Sequence, residues 1–452
     1  MKRIVTYLRQ FPASFWVLCL GWFVSAFGFG VSIPFVSIYF HSTLGLSMAG
    51  IGLFFGFLAV VRSGFQLLGG EIADRMERRS LMILFQGARA AAFGFTAVAV
   101  YLDWGFVAVA ASILINSIFG ALYQPVANAA VSDILPEAKR LDGFAVTRSA
   151  VNLGWAAGPA LGGLMAAFSY GLLFVLSAAL TLASALVVLL FLTMPETGRL
   201  REQFRLSDLA AIRHDPLLAT HAVLIFFLYM VHSQLIAPFS VYAVDMVKIT
   251  ERQLGFLYTL NGLMVVSLQI PVTRLFSRVR LTFQMALGAV VYAAGYTFVG
   301  FCDRFALFVL AVVVVTVGEM VMSPPALTLT ARLAPANRTG RYMGIFGFAV
   351  AGGWSFGPMV GGIILDSLGE VHVLAWSLIG SLALVSAAGY ALFSRRLPAR
   401  YDRPGDDPET VGSGPPGGAD ERRQSESPEP RPAGKKSGRL STASVDDGGV
   451  SQ

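Results

Sequence analysis

Glu319 is a carboxylate in a place where a carboxylate is costly. It lies thirteen residues before Arg332 and fifteen after Arg304 in an otherwise apolar run, which at about 1.5 Å per helical residue puts it near the middle of a segment long enough to cross a bilayer. No other carboxylate sits so deep in such a run. A group in that position faces protein or water, and it can hold and release a proton. His232, beside Ser233 and Gln234, stands at similar depth in another run. It is a second candidate for relaying protons or binding a substrate, although a lone histidine also serves as a satisfied polar group of a core. Arg62, Arg89 and Arg148 fall about six to eight residues inside the ends of their runs, roughly 10 Å deep, with Gln66 four residues after Arg62. Arginines at that depth either snorkel to headgroups or line a cavity. Asn116, Gln124 and Asn128 add neutral polar groups in one further run.

These residues offer proton exchange and polar recognition, not bond making. Gly353-Trp354-Ser355-Phe356-Gly357 fits the G-x-S-x-G pattern of hydrolases, but that motif needs a strand, a sharp turn and a triad, whereas this serine lies in an apolar run whose glycines have a packing role. There is no Walker A loop, no HExxH and no glycine-rich dinucleotide turn. Cys19 and Cys302 have neither zinc-ligand nor disulfide-framework spacing. No cofactor, no metal and no catalytic activity are expected.

Hydrophobic residues make up 55% of the chain and charged residues 13%, with a mean hydropathy of +0.65, which excludes an ordinary soluble domain. Apolar runs of about 20 residues or more, enough to span about 30 Å as helices, cover 14–39, 46–70, 81–101, 106–130, 143–167 and 171–194. Six more cover 219–245, 254–276, 281–301, 305–331, 341–365 and 371–394. The expected fold is therefore all-α and polytopic, with twelve transmembrane helices.

Lys and Arg alternate between loops: Lys2 to Arg9, Arg75 to Arg79, Lys139 and Arg140, Arg199 to Arg213, Arg274 to Arg280, Arg332 to Arg341, and Arg395 onward fall on one side, while Lys248, Arg252 and Arg304 fall on the other. The positive-inside rule places the basic set in the cytoplasm, so both termini are expected there, in a plasma (inner) membrane. The net charge of +7 is then a topology signal, and no nucleic-acid partner is expected. The first apolar run is too long for a signal-peptide core and lacks a small-residue cleavage site. Residues 1–194 are expected to form one bundle, 195–218 a cytoplasmic linker with an amphipathic stretch, and 219–396 a second bundle. Residues 397–452, rich in Gly, Pro, Ser and charge, read as a disordered tail.

The two bundles are copies. Gly154-Trp155-Ala156-Ala157-Gly158-Pro159-Ala160-Leu161-Gly162-Gly163 returns as Gly353-Trp354-Ser355-Phe356-Gly357-Pro358-Met359-Val360-Gly361-Gly362, and Pro125/Pro324 and Pro136/Pro335 share the same separation of 199 residues. Ser37-Ile38-Tyr39/Ser240-Val241-Tyr242, Gly52/Gly255 and Gln66/Gln269 lie 203 apart. A repeat this long is no solenoid unit; in a membrane chain it is the mark of a carrier that rocks about a central site.

Gly70-x-x-x-Asp74-Arg75-x-x-Arg78-Arg79 lies between the second and third runs. With it the chain, over about residues 10 to 396, resembles the major facilitator superfamily, although Glu77 stands where that motif usually has glycine. The two glycine strings resemble the fifth-span motif of its antiporters, drug:proton antiporters above all. The resemblance implies two pseudo-symmetric six-helix bundles, alternating access, a cavity lined by helices 1, 4, 7 and 10, and a peripheral third helix, for which snorkelling suits Arg89. Asn116 stands in the region where many drug:proton antiporters carry arginine, and Arg148 with Asn152 is a pairing familiar in exporter-like members.

Physically, Gly154, Gly158 and Gly162, and Gly353, Gly357 and Gly361, let backbones approach closely, while Pro159 and Pro358 permit kinks. Asp74 is expected to dock on the start of the eleventh helix, or on Arg341, as a conformational latch with Gly70, Arg75, Arg78 and Arg79. Proton coupling is expected at Glu319 and His232, the antiporter-type motif at Gly154, Gly158, Pro159, Gly162, Gly163, Gly353, Gly357, Pro358, Gly361 and Gly362, and a candidate cavity at Arg62, Gln66, Asn116, Gln124, Arg148 and Gln234. The reading is a monomeric secondary transporter in the lipid bilayer that exports a small amphipathic molecule against protons. Uptake by symport or facilitation, and a transport-dead receptor or scaffold, are the alternatives.

Overall fold

The structure, a computed structural model, describes residues 10–194, 215–335, 339–368 and 371–403. Its membrane helices are α1 (Ala13–Ile38), α2 (Met48–Arg75), α3 (Arg78–Tyr101), α4 (Gly105–Ile134), α5 (Glu137–Ala166), α6 (Tyr170–Phe191), α7 (Pro216–His232), α8 (Glu251–Leu275), α9 (Leu281–Val299), α10 (Phe305–Leu333), α11 (Thr339–Leu368) and α12 (His372–Phe393). Eleven of the twelve segments are long and apolar enough to cross a membrane; α5, with its glycine string, is the other, and it is 30 residues long. Large apolar side chains such as Val107, Leu190 and Leu275 are exposed, as lipid-facing residues are.

Two corrections to the sequence reading concern helix ends. The seventh span is broken after His232: Ser233–Leu235 is a 3-10 turn, Pro238–Val241 a short helix, and Tyr242–Met246 a π turn. Pro238 has no N–H for residue 234 and clashes with that residue's carbonyl. The carbonyls of Leu235 and Ile236 instead accept from the hydroxyl of Tyr258 on α8, and that of Ile236 also from Ser240. The second correction is at the C-terminus, where residues 397–403 are ordered against the core. Leu397 is buried, Ala399–Asp402 is helical, and the Asp402 carboxylate accepts from Thr282 N and Oγ1 at 2.8 and 2.9 Å, capping α9. The linker expected at 195–218 lies largely outside the described residues; α7 begins within it, at Pro216, with Asp215 capping its first turn.

Helix packing repeats with a shift of six. α1 packs on α5 and α6, α3 on α4 and α6, and α2 on α4; likewise α7 packs on α11 and α12, α9 on α10 and α12, and α8 on α10. The halves meet through α2 with α11 and α5 with α8, the same contact made twice. Both copies of the Ser-x-Tyr segment end in matching π turns, Tyr39–Thr43 and Tyr242–Met246, and Ser42 Oγ donates to Asp245 Oδ1 across them at 2.5 Å.

The hydrogen bonds Ser37–Ile236, Ser42–Asp245, Asp366 with Met48 and Ala49, and Tyr170–Glu251 join the halves near the ends of α1 and α11 and the starts of α2, α6 and α8. That end is closed. The opposite end carries Gln10 and Arg403, and there α8 from Leu263 to Leu275 is largely exposed, while the described residues of α2 from Val61 on are mostly half-buried or buried.

Candidate functional site

In the C-terminal half, Glu319 lies fourteen residues from either end of α10 and is half-buried. Its Oε2 accepts from Asn261 Nδ2 of α8 at 3.0 Å; the same amide nitrogen donates to Thr316 Oγ1 at 2.9 Å, and Thr316 donates to the Val312 carbonyl. Among the described residues no cation pairs with Glu319. His232, the last residue of α7, places Nδ1 2.5 Å from the hydroxyl of Tyr292 on α9, and its carbonyl accepts from Tyr296 at 3.2 Å. The imidazole stands 5.1 Å from the ring of Trp354, a member of the second glycine string. Glu319 is within Coulombic reach of His232, Tyr292 and Tyr296. The two residues singled out for proton coupling therefore share one neighbourhood built by α7, α9 and α10.

Gln234 is not a cavity residue. Fully buried, it donates from Nε2 to the carbonyls of Met230 and Gly357 at 3.0 and 2.7 Å, holding the break in α7 against α11. Asn261, Tyr292 and Tyr296 were not singled out by the sequence, where one amide and two tyrosines in apolar runs carry no distinguishing signal.

The N-terminal half holds a cavity of about 230 Å³ among α1 to α5. Arg62, Asn116 and Gln124 line it, and so does Arg89. Snorkelling of Arg89 is therefore corrected: at 6% exposure it donates from Nη1 to Ser25 Oγ (3.0 Å) and Gln86 Oε1 (2.8 Å). Asn116 donates to the Arg89 carbonyl at 3.1 Å. Gln66, Arg148 and Asn152 are exposed and lie outside that lining; Arg148 is within Coulombic reach of Tyr229 on α7.

The glycine strings have two faces. Gly154, Gly158 and Gly162 turn to α1, with a Cβ on Gly158 coming within 2.8 Å of the Gly30 Cα, while Gly163 turns to Glu251 and Gly255 of α8. In the second copy Gly353, Gly357 and Gly361 turn to the α7 segment, and Gly362 to Met48 of α2. Gly52 packs on Pro358 and Met359, just as its echo Gly255 packs on Pro159. Each string thus holds its own half together and, with its last glycine and its proline, touches the other.

Of the expected latch, the side chains of Asp74, Arg75 and Arg341 lie outside the described residues, as does Gly70 beyond its helical backbone. Arg78 is buried in an ion pair with Asp133 of α4, and Arg79 donates to the Leu189 carbonyl of α6 at 2.6 Å. Both arginines are engaged inside the N-terminal half. A carboxylate docked on a helix start does occur, at the closed end: Asp366, near the end of α11, accepts from Met48 N (3.1 Å) and Ala49 N (2.7 Å), the first amides of α2.

The family model for the Major Facilitator Superfamily matches residues 18–358 and 222–432. The chain belongs to that superfamily. It is a multi-pass membrane protein whose relatives are transporters. It is 27% identical over 398 residues to the uncharacterized MFS-type transporter YttB of Bacillus subtilis (strain 168), covering 85% of this chain and 96% of that one. It is also 23% identical over 386 residues to the multidrug resistance protein MdtH of Salmonella paratyphi B, covering 84% and 94%. Among solved structures it is similar to a mutant form of the nucleoside transporter NupG, with TM-score 0.71, 15% identity and 84% and 99% coverage. A bacterial homolog of the human lysosomal transporter Spinster, inward-facing and occupied, gives 0.69, 14%, 85% and 96%. These likenesses establish the superfamily's fold of two six-helix bundles.

Proposed function

We propose that this superfamily member exports a small amphipathic compound in exchange for protons, cycling by alternating access as a monomer in the inner membrane with both termini in the cytoplasm. The observation that carries the reading is Glu319: a carboxylate at mid-helix, held by one neutral amide and without a counter-cation among the described residues. A salt-bridged carboxylate stays ionised, whereas one held only by Asn261 can take up and lose a proton as the site changes exposure. Its neighbours Tyr292 and His232 supply hydroxyl and imidazole groups through which a proton can pass. In this orientation the open end faces the cytoplasm, so the conformer is inward-facing. Likeness to MdtH, a multidrug resistance protein, supports export over uptake.

The test starts from a thermal-shift screen of amphipathic compounds and follows the strongest stabiliser in proteoliposomes under an imposed pH gradient. Wild type accumulates it uphill. Glu319→Gln, which keeps hydrogen bonding but cannot cycle a charge, is expected to abolish uphill movement while retaining binding and exchange. Uphill transport by the Gln variant at the wild-type rate would make Glu319 structural and pass the coupling role to His232.

A further inference from the structure

The cavity in the N-terminal half is built for a negative charge. Arg62 and Arg89 both line it and lie within Coulombic reach of each other, while its lining contains no carboxylate. Arg62 has no hydrogen-bond partner among the described residues. Two further N–H groups of the same wall, Arg89 Nε and Trp22 Nε1, are buried without one. Both are donors, and Arg89 is 6% exposed. Buried donors left unpaired are costly, and two cations side by side more so, unless a ligand supplies acceptors and charge.

The remaining wall is aromatic. Phe29 lies 5.9 Å from the Arg89 guanidinium, Trp155 packs edge-on to Phe29 at 5.4 Å, and Trp22 packs edge-on to Tyr123 at 5.4 Å. Gly120 packs beside Arg89, where a Cβ would lie 3.4 Å from Nε. A volume of about 230 Å³ is below the roughly 300–1,000 Å³ of pockets that enclose drug-sized ligands. It suits a small ligand or the head of a longer one.

We infer that this cavity is the site for the charged head of the transported compound, and that the compound is a small organic anion: a carboxylate on an aromatic or apolar body. The planar guanidinium matches a carboxylate in two-point geometry, and the aromatic wall takes the body. The inference rests on the export reading and names its substrate class. The cation that coupling requires is then taken up at Glu319 in the other half, so substrate and proton occupy separate sites.

The test is equilibrium calorimetry on the full chain in nanodiscs at neutral pH, without a gradient, using benzoate, neutral benzamide, cationic benzylamine and phenyl phosphate. Benzoate is expected to bind about tenfold or more tightly than benzamide, and Arg62→Gln to remove that advantage, as loss of one charge-assisted hydrogen bond would. Benzamide affinity should not move. Arg89→Gln is expected to do the same; because Arg89 also anchors Ser25 and Gln86, the Arg62 variant keeps the test valid if the Arg89 variant fails to fold. Phenyl phosphate binding more tightly than benzoate would overturn the assignment to carboxylates. Benzamide or benzylamine matching benzoate, no benzoate binding, or unchanged benzoate affinity in Arg62→Gln would overturn the site itself. Calorimetry without a gradient reads the anion site and proteoliposome flux reads coupling, so a failed coupling experiment and a failed anion site give different results.

Discussion

Arg78 and Asp133 divide the basic motif between α2 and α3 into two roles at the residue scale. Arg78 is spent inside its own half, buried against Asp133, so its loss should be felt as stability and not as a change of conformer. Removing one member of a buried pair costs about 3–5 kcal/mol, because the other charge is left without compensation. Asp133→Ala is therefore expected to lower the thermal transition by several degrees while leaving the distance distribution between spin-labelled halves as in wild type. A shifted distribution without lost stability would return Arg78 to the latch. Arg89 shows what the sequence withholds at this scale. Its depth could be read from its distance to the helix end, but α3 carries apolar residues on every side, and nothing in the pattern says which way the guanidinium points. Glu319 was legible because depth alone made it costly; Asn261, its partner 58 residues away, was not.

Helix termini carry the element-scale argument. Asp366 on the first amides of α2 exemplifies the carboxylate-on-helix-start contact that the sequence placed at Asp74, at the other end of the same helix and against the same partner helix. It is exposed, so its worth is about 0.3–1 kcal/mol. Asp366→Asn should open the closed end about two- to fivefold in population, and Asp74→Asn should shift the distribution in the opposite direction. Spin-label distances across each end read both, and equal signs would sink the two-latch account. The glycines give a second contrast. Gly163→Ala pushes a Cβ into the Glu251 carbonyl across the interface, so the closed end should lose population. Gly347→Ala, also within a helix but with open space around it, should instead stabilise by about 0.5–1 kcal/mol. Thermal transitions of the two variants moving in the same direction would contradict this.

Over the whole molecule, the duplication was the most legible feature, since offsets of 199 and 203 residues map onto helix pairs that pack alike. Spans were legible to a few residues because bilayer length fixes them. The break in α7 was not, although Pro238 was in plain view. Whether a helix kinks or breaks at proline depends on who satisfies the freed carbonyls, here Tyr258 from the next helix. Topology is the remaining whole-molecule prediction. Glu77→Cys should resist impermeant maleimide in intact cells and Thr43→Cys should react. Native Cys302 is a quiet background, since burial pushes its thiol up to about 12 and keeps it protonated at neutral pH. Labelling at 77 from outside would invert the orientation.

Gly52 on Pro358 and Gly255 on Pro159 bring main chain against main chain where the halves meet. A seam of long side chains must freeze rotamers each time it shuts, at up to about 1.5–2 kcal/mol per residue; these glycines have none to freeze. At these two contacts the seam can part and re-form with little rotamer entropy lost, which lowers the driving force that each half-cycle needs and leaves the choice of direction to whatever occupies the carrier.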